Sequence, residues 1–433
     1  MPGRLGRPLP VGLQVLSTLF VPACAGSGGN PDGGADAPAI PLPEVVSEAP
    51  ALADRDARAG LPGGAACDAA AQCLSGACTL GFCSDWAHAG RVTVDTTLDG
   101  ANVKQTVTDF PLLLRLDAAN FAFAEARRDG ADIRFVNAAG HGLAHEIERW
   151  DADGKLANLW VLVPRIEGDT PDNAVFMYWG NPLAAPADSG PSVFGGFACV
   201  LHMGESDDGI ATHLADSSGH GNTGLLQSAP DDPTPTEGMA GPALLLDGDG
   251  AYLATTIRSM SPQTFTVSLW LRTTSAIRGG LAGFASKQSA GDARFDRAVW
   301  MDENGRLAFG ILRGSSFSAV ASVTGYNDGA WHQVVARFSD NGHYLFVDGE
   351  SVADDPTVSS AESFYGYWRF GQEPLAAPSA PSDADAAILD GNCFAGALDE
   401  IRINTDETSE AWIKLAYATQ RPGANAVVFS RQP

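Results

Sequence analysis

Phe265-Thr266-Val267-Ser268-Leu269-Trp270-Leu271-Arg272 carries an apolar side chain at every second position from Phe265 to Leu271. A period of two matches the pleat of an extended strand, whose successive side chains point to opposite faces. Phe265, Val267, Leu269 and Leu271 are therefore predicted to line one buried face. Asn304-Gly305, Asn341-Gly342 and Asp348-Gly349 lie between the apolar runs that follow. Tight hairpins need residues that accept positive φ, so these pairs predict an antiparallel meander.

Working backwards, shorter strand-like runs recur at Arg91–Asp95, Phe110–Leu116, Asp132–Val136, Leu159–Val163 and Ala174–Tyr178. Only Asn120–Arg128 leaves room for a helical turn or two before the Asp129-Gly130 turn. Working forwards, Ser409 is placed to cap a short helix with Trp412, Leu415 and Ala416 on one side, packed back on the sandwich. The reading is an all-β chain of two β-sandwich modules, residues 85–194 and 195–433.

At 433 residues the chain exceeds one ordinary core. Its 27 basic and 52 acidic side chains give a formal charge of -25. Such a field repels phosphate backbones, which argues against a nucleic-acid partner.

Residues 1–24 follow an export pattern: Arg4 and Arg7, then a short apolar run from Leu9 to Ala23, then small residues. The run falls short of the roughly 20 residues needed to span a bilayer, so the membrane is expected to be met only through a lipid anchor. Val21-Pro22-Ala23-Cys24 resembles the lipobox of bacterial lipoproteins, which implies lipidation at Cys24 and an outer-membrane or cell-surface location. The imperfect match leaves ordinary cleavage and free secretion open.

Residues 25–64 are rich in Gly, Ala, Pro and Asp and read as a tether. Residues 65–84 hold Cys67, Cys73, Cys78 and Cys83, too close together for a hydrophobic core and without the C-x2-C pairs of zinc sites. Two local disulfides are expected in an oxidising compartment, with the connectivity open among three choices. The segment resembles the small cysteine-rich repeats of exported bacterial proteins.

Asp109-Phe110-Pro111, Asp129 to Phe135, Glu146-Ile147-Glu148-Arg149-Trp150 and Met177-Tyr178-Trp179-Gly180-Asn181 resemble domain of unknown function twenty-three forty-one. Beyond it, Val200 to Met203, Asp216 to Gly224, Gly241 to Gly248, Trp331 to Ala336, Tyr344 to Gly349 and Phe394 to Ile403 resemble the laminin-G-like, concanavalin A-like lectin and glucanase superfamily. That second resemblance implies a jelly roll whose first and last long strands are neighbours. It thereby implies a disulfide between Cys199 and Cys393. It further implies one structural calcium ion held by Asp216 and Asp399, with Asn222 as a further ligand, since hard cations take oxygen donors. The alternative for Asp216 and Asn222 is simple turn capping.

Catalytic motifs are sparse. The Glu-x-Asp-x-Glu strand of glucanases on this fold does not occur, and its nearest approach, Glu146-Ile147-Glu148, sits in the preceding module. His141 and His145 are four apart without a strong helix or a third ligand. Tyr365, Tyr367 and Trp368 form the densest aromatic cluster and are the candidate ligand contacts, with core packing as the alternative. The expectation is a non-catalytic cell-surface protein that binds a glycan or a surface protein. A polysaccharide-active hydrolase or lyase and a structural envelope component are the alternatives.

Overall fold

The computed structural model describes residues 78–79, 82–83, 85–204, 213–227, 233–289, 294–313, 316–372 and 393–431. The leader with Cys24, the tether, Cys67 and Cys73 lie outside these. Cys78 and Cys83 face one another across a two-stranded hairpin. Among the described residues no helix is long and apolar enough to cross a membrane.

The described residues form two sandwiches that share an apolar cluster, Leu113 and Trp160 from the first and Val200 and Ala240 from the second. In the first module, a sheet of five strands packs on a sheet of three, in the order Val107–Asp117, Leu156–Ile166, His145–Asp151. Between them lie Leu112, Leu114, Phe135, Leu159, Val161 and Met177, the alternate members of the runs that mark these strands in the sequence. The Asn120–Arg128 stretch forms one 3-10 turn, Phe123–Glu125.

The second module pairs an eight-stranded with a nine-stranded sheet. Phe265, Val267, Leu269 and Leu271 all enter the core between them. Asp348 and Gly349 adopt the positive φ that their turn demands, as do Gly305 and Gly342.

The C-terminal segment serves both modules. Ser409 caps the helix Glu410–Gln420 by accepting from the Trp412 amide at 3.2 Å. Ile413 packs on Val335 and Phe346 of the second module, whereas Leu415, Ala416 and Ala418 join the core of the first. The chain then adds Val427–Arg431 as an edge strand beside His88–Val94, with Phe429 opposite Val92. The helix is thus a wedge between two modules, and the last strand completes the sheet of the first.

Strand Cys199–Leu201 does lie beside the last long strand, Ala395–Asn404, as the resemblance implies. The pairing is antiparallel, however, and sets Cys199 opposite Ile403. Cys393 therefore lies ten residues from Ile403, just beyond the far end of that strand, about 30 Å distant. A Cys199–Cys393 disulfide would need Cα atoms about 5.5 Å apart. Cys199 is instead a buried free thiol that donates to the Asn222 carbonyl at 3.2 Å.

Candidate functional site

Two β-bulges build the centre of the molecule. Along Ala395–Asn404, Leu398 and Ile401 both face the core, three residues apart, because the register with the Phe265–Arg272 strand shifts there and Glu400 takes φ 50°. The extra residue turns two successive acids, Asp399 and Glu400, onto the outer face beside Arg402. Across from it, the His145–Asp151 strand has its own shift between Ile147 and Arg149. Ile147 and Trp150 stay with the core of the first module, and Glu146 and Glu148 point outward, towards the second.

The two outer faces meet around a small apolar cluster of Leu113, Trp160, Val193, Phe194, Val200 and Ala240. Inside it, His202 Nδ1 lies 2.6 Å from Glu400 Oε1, and its Nε2 lies 3.4 Å from Glu146 Oε2. Arg402 donates to Glu400 Oε2 at 2.6 Å and stacks over Trp160 at 4.3 Å. The Trp160 indole donates to Glu148 Oε2 at 2.7 Å, and Ser217 donates to Glu146 Oε1 at 2.7 Å. Every one of these acids, and His202, is at least nine-tenths buried.

Burial sets the protonation of this centre. It drives Glu148 and Asp399 well above the usual carboxylate range, reinforced in both by the charge of Glu400. For His202 burial acts downward, but Glu400, Glu146 and Glu148 outweigh it and the imidazole is held well above its ordinary value. Glu400 goes the other way: burial raises it, yet His202 and Arg402 bring it below the normal value. The charges of His202, Glu400 and Arg402 thus favour one another, while burial works against charge on Glu148 and Asp399.

A cleft of about 400 Å³ reaches this centre, with Glu148 and His202 at its inner end and Arg149, Thr236 and Glu237 towards its mouth. A second cleft, of about 550 Å³, lies along the same edge of the eight-stranded sheet, lined by Thr234 and Leu245–Asp247. Thr234, Asp247, Arg272, Thr274 and Ser275 give it polar walls, and Leu245 gives it an apolar one. Arg272 is held there over the Trp331 ring at 4.8 Å.

The residues singled out from the sequence are dispersed. Asp216 spends both oxygens on the backbone and on Ser218: Oδ1 accepts from Val200 N, Ser218 N and Ser218 Oγ, and Oδ2 from Asn222 N. Asn222 Oδ1 accepts from Ile257 N at 3.0 Å. Asp399 closes on different backbone, accepting from Met239 and Ala240 through one oxygen and from Glu400 N through the other. Asp216 and Asn222 thus meet in one loop through a backbone hydrogen bond, whereas Asp399 caps a different one.

Tyr365 and Tyr367 lie on one side of the Tyr365–Phe370 strand and Trp368 on the other. Trp368 is core, 3% exposed, whereas Tyr365 is 45% exposed with Arg258 over its ring at 5.1 Å. His202, Glu400 and Arg402 lie in the phrases that mark the fold and Trp160 in a strand run, but none of these stretches signals a site. A faint signal was the Glu146-Ile147-Glu148 spacing, which puts two acids on one strand face.

Residues 247–414 match the family described as concanavalin A-like lectin/glucanases superfamily, and residues 129–199 match the domain of unknown function (DUF2341). The second module is thus a concanavalin A-like sandwich, and the first is similar to that uncharacterised domain. No curated protein matches the chain. Among solved structures, the ligand-binding domain of botulinum neurotoxin serotype D in complex with N-acetylneuraminic acid is 14% identical, with 54% of this chain and 53% of that one covered and a TM-score of 0.37. The binding domain of Paraclostridial Mosquitocidal Protein 1 is 12% identical, covering 52% of each chain at a TM-score of 0.37. Domain 4 of AbnA, an extracellular arabinanase from Geobacillus stearothermophilus, in complex with arabinotriose, is 14% identical; 51% of this chain and 98% of that one are covered at a TM-score of 0.36. The chain spans about half the length of the toxin domains. At these identities and scores the likeness does not extend to ligands.

Proposed function

We propose that the protein is an exported, non-catalytic surface-binding protein whose two sandwiches act as one rigid unit and whose ligand is a glycan. The observation that carries the non-catalytic reading is the burial of Glu146 and Glu148. Retaining and inverting glycosidases need two carboxyls flanking a bond in an open groove, one as acid and the other as nucleophile or base. Here both side chains lie between modules, engaged by Ser217, Trp160 and His202.

The 550 Å³ cleft suits a polyhydroxylated ligand. Asp247 and Arg272 can orient hydroxyls, Thr234, Thr274 and Ser275 can exchange hydrogen bonds with them, and Leu245 can cover an apolar sugar face. The cysteine-rich hairpin supports an oxidising compartment, and the leader-like pattern of residues 1–24 supports export.

A glycan array probed with the full chain, followed by titration of hits against Arg272→Ala and Asp247→Asn variants, tests this reading. At least one glycan class should bind, at least about tenfold more weakly to each variant, as loss of one charged contact implies. Binding unaffected by both variants would remove the cleft from the proposal, and an array without hits would remove the glycan.

A further inference from the structure

The centre between the modules holds donor atoms that the interface leaves idle. Glu148 Oε1, Glu146 Oε2 and His202 Nε2 are all buried without a hydrogen-bond partner. Glu146 Oε2 and His202 Nε2 lie 3.4 Å apart and can serve one another, which leaves the clustering of Glu148, His202 and Glu400 in a buried space to be explained.

We propose that Glu148, His202 and Glu400 form a binding site for one divalent cation of the zinc class, which clamps the first sandwich to the second. Glu148 comes from the His145–Asp151 strand, His202 follows Cys199–Leu201, and Glu400 sits at the bulge of Ala395–Asn404. One donor atom from each lies within 4.8 Å of the others. Tetrahedral coordination at about 2.0–2.2 Å places ligands about 3.3 Å apart, so the widest separation closes by roughly 1.5 Å at most while the His202 Nδ1–Glu400 Oε1 pair opens from 2.6 Å.

The outer partners of such a site are already in place. A metal-bound imidazole normally gives its second N–H to a carboxylate, and ligating carboxylates are themselves hydrogen-bonded. With the cation on Nδ1, His202 Nε2–H faces Glu146 Oε2 at 3.4 Å, which would satisfy two of the orphans together. Glu148 Oε2, oriented by the Trp160 indole, lies 3.9 Å from His202 Nδ1 and keeps a lone pair for the cation, while Arg402 fixes Glu400 through Oε2 and leaves Oε1. The cation then takes the place of the proton between His202 Nδ1 and Glu400 Oε1.

Donor chemistry selects the metal class. Calcium takes six to eight oxygens, whereas one imidazole with two carboxylates suits zinc and its neighbours. The 400 Å³ cleft ending at Glu148 and His202 supplies the route from solvent.

The test uses the full chain, stripped with a chelator, and ZnCl2, CoCl2 or CaCl2 added singly. The expected results are one equivalent of zinc retained through gel filtration, and a cobalt spectrum of low-coordinate nitrogen and oxygen ligation without a thiolate charge-transfer band. Zinc affinity should fall by about 100-fold or more in Glu148→Gln, beyond the effect of removing an outer partner. Wild-type chain that retains no stoichiometric zinc, a thiolate band, displacement of zinc by equimolar calcium, or a folded Glu148→Gln variant of unaltered affinity would each overturn the proposal. The wild-type measurements decide it by themselves if Glu148→Gln does not fold.

Discussion

His202 Nδ1 stands 2.6 Å from Glu400 Oε1 across 198 residues of sequence, in a space where neither side chain is more than 2% exposed. The contact exists because a bulge turns Glu400 off the core of its own sandwich, and because the first module closes over it with Trp160 and Phe194. Charge buried this deeply is tolerated only when every member has a partner.

Removing Arg402 leaves Glu400 with His202 alone. In chelator, Arg402→Met should destabilise the chain by about 3–5 kcal/mol in urea unfolding, as for other broken buried pairs. Adding Glu400→Gln should recover part of that loss, because the uncompensated charge is gone. Strict additivity of the two changes would contradict the coupling.

Arg115 ties three segments together: its Nη2 donates to the Met239 carbonyl at 2.7 Å and to the Gln420 carbonyl at 2.6 Å. Arg115→Ala should cost about 2–4 kcal/mol, since two carbonyls lose a charged donor. Hydrogen exchange should then accelerate at the C-terminal end of the Glu410–Gln420 helix. An unaltered exchange pattern there would show that the wedge is held by apolar packing alone.

Ending the chain at Gly423 removes the strand Val427–Arg431, and with it Ala426 and the contacts of Phe429 with Phe121 and Trp179. The loss should be about 2 kcal/mol or more from apolar burial alone. Amides of His88–Val94 that pair with the missing strand should lose protection first. Unaltered protection there would contradict the shared sheet.

The imidazole of His332 lies between Asp348 at 2.8 Å and Asp328 at 3.1 Å. Burial pulls its pKa down, but the two carboxylates prevail and raise it above 6.5. The folded state therefore binds the proton more tightly than the unfolded one. The resulting stabilisation is complete below about pH 6.5 and lost as pH rises through the folded value. Relative to His332→Gln, the wild-type melting temperature should fall as pH rises above about 6.5, and parallel curves would contradict the pair.

Cys199 should resist alkylation in the native protein and react fully once the unreduced chain is denatured. Its recovery in a disulfide would contradict both the 0% exposure and the register with Ile403.

The period of two in Phe265–Arg272 identified the core face and the hairpin glycines identified the meander, because both follow from local backbone geometry. Thr266 and Trp270 on the opposite face are also buried, against neighbours that no local pattern reveals. Antiparallel register decided the fate of Cys199, and two bulges decided which acids meet. A bulge shifts facing by one residue, so alternation counted through Glu148 or Glu400 fails where the site is built. The pairing of Phe429 with Val92 is likewise invisible across more than three hundred residues. Helical spacing predicts Trp412, Leu415 and Ala416 on one side, and they do pack together, but on the first module; Ile413 turns to the second.

A surface-binding protein of this kind holds its ligand without turnover. Incubating the full chain with polysaccharides that it retains, while following complex formation and the release of reducing or unsaturated ends together, tests both halves in one experiment. The prediction is saturable binding that weakens in Arg272→Ala, with no ends released above a protein-free control. Release of new ends that depends on Glu146 or Glu148 would contradict it.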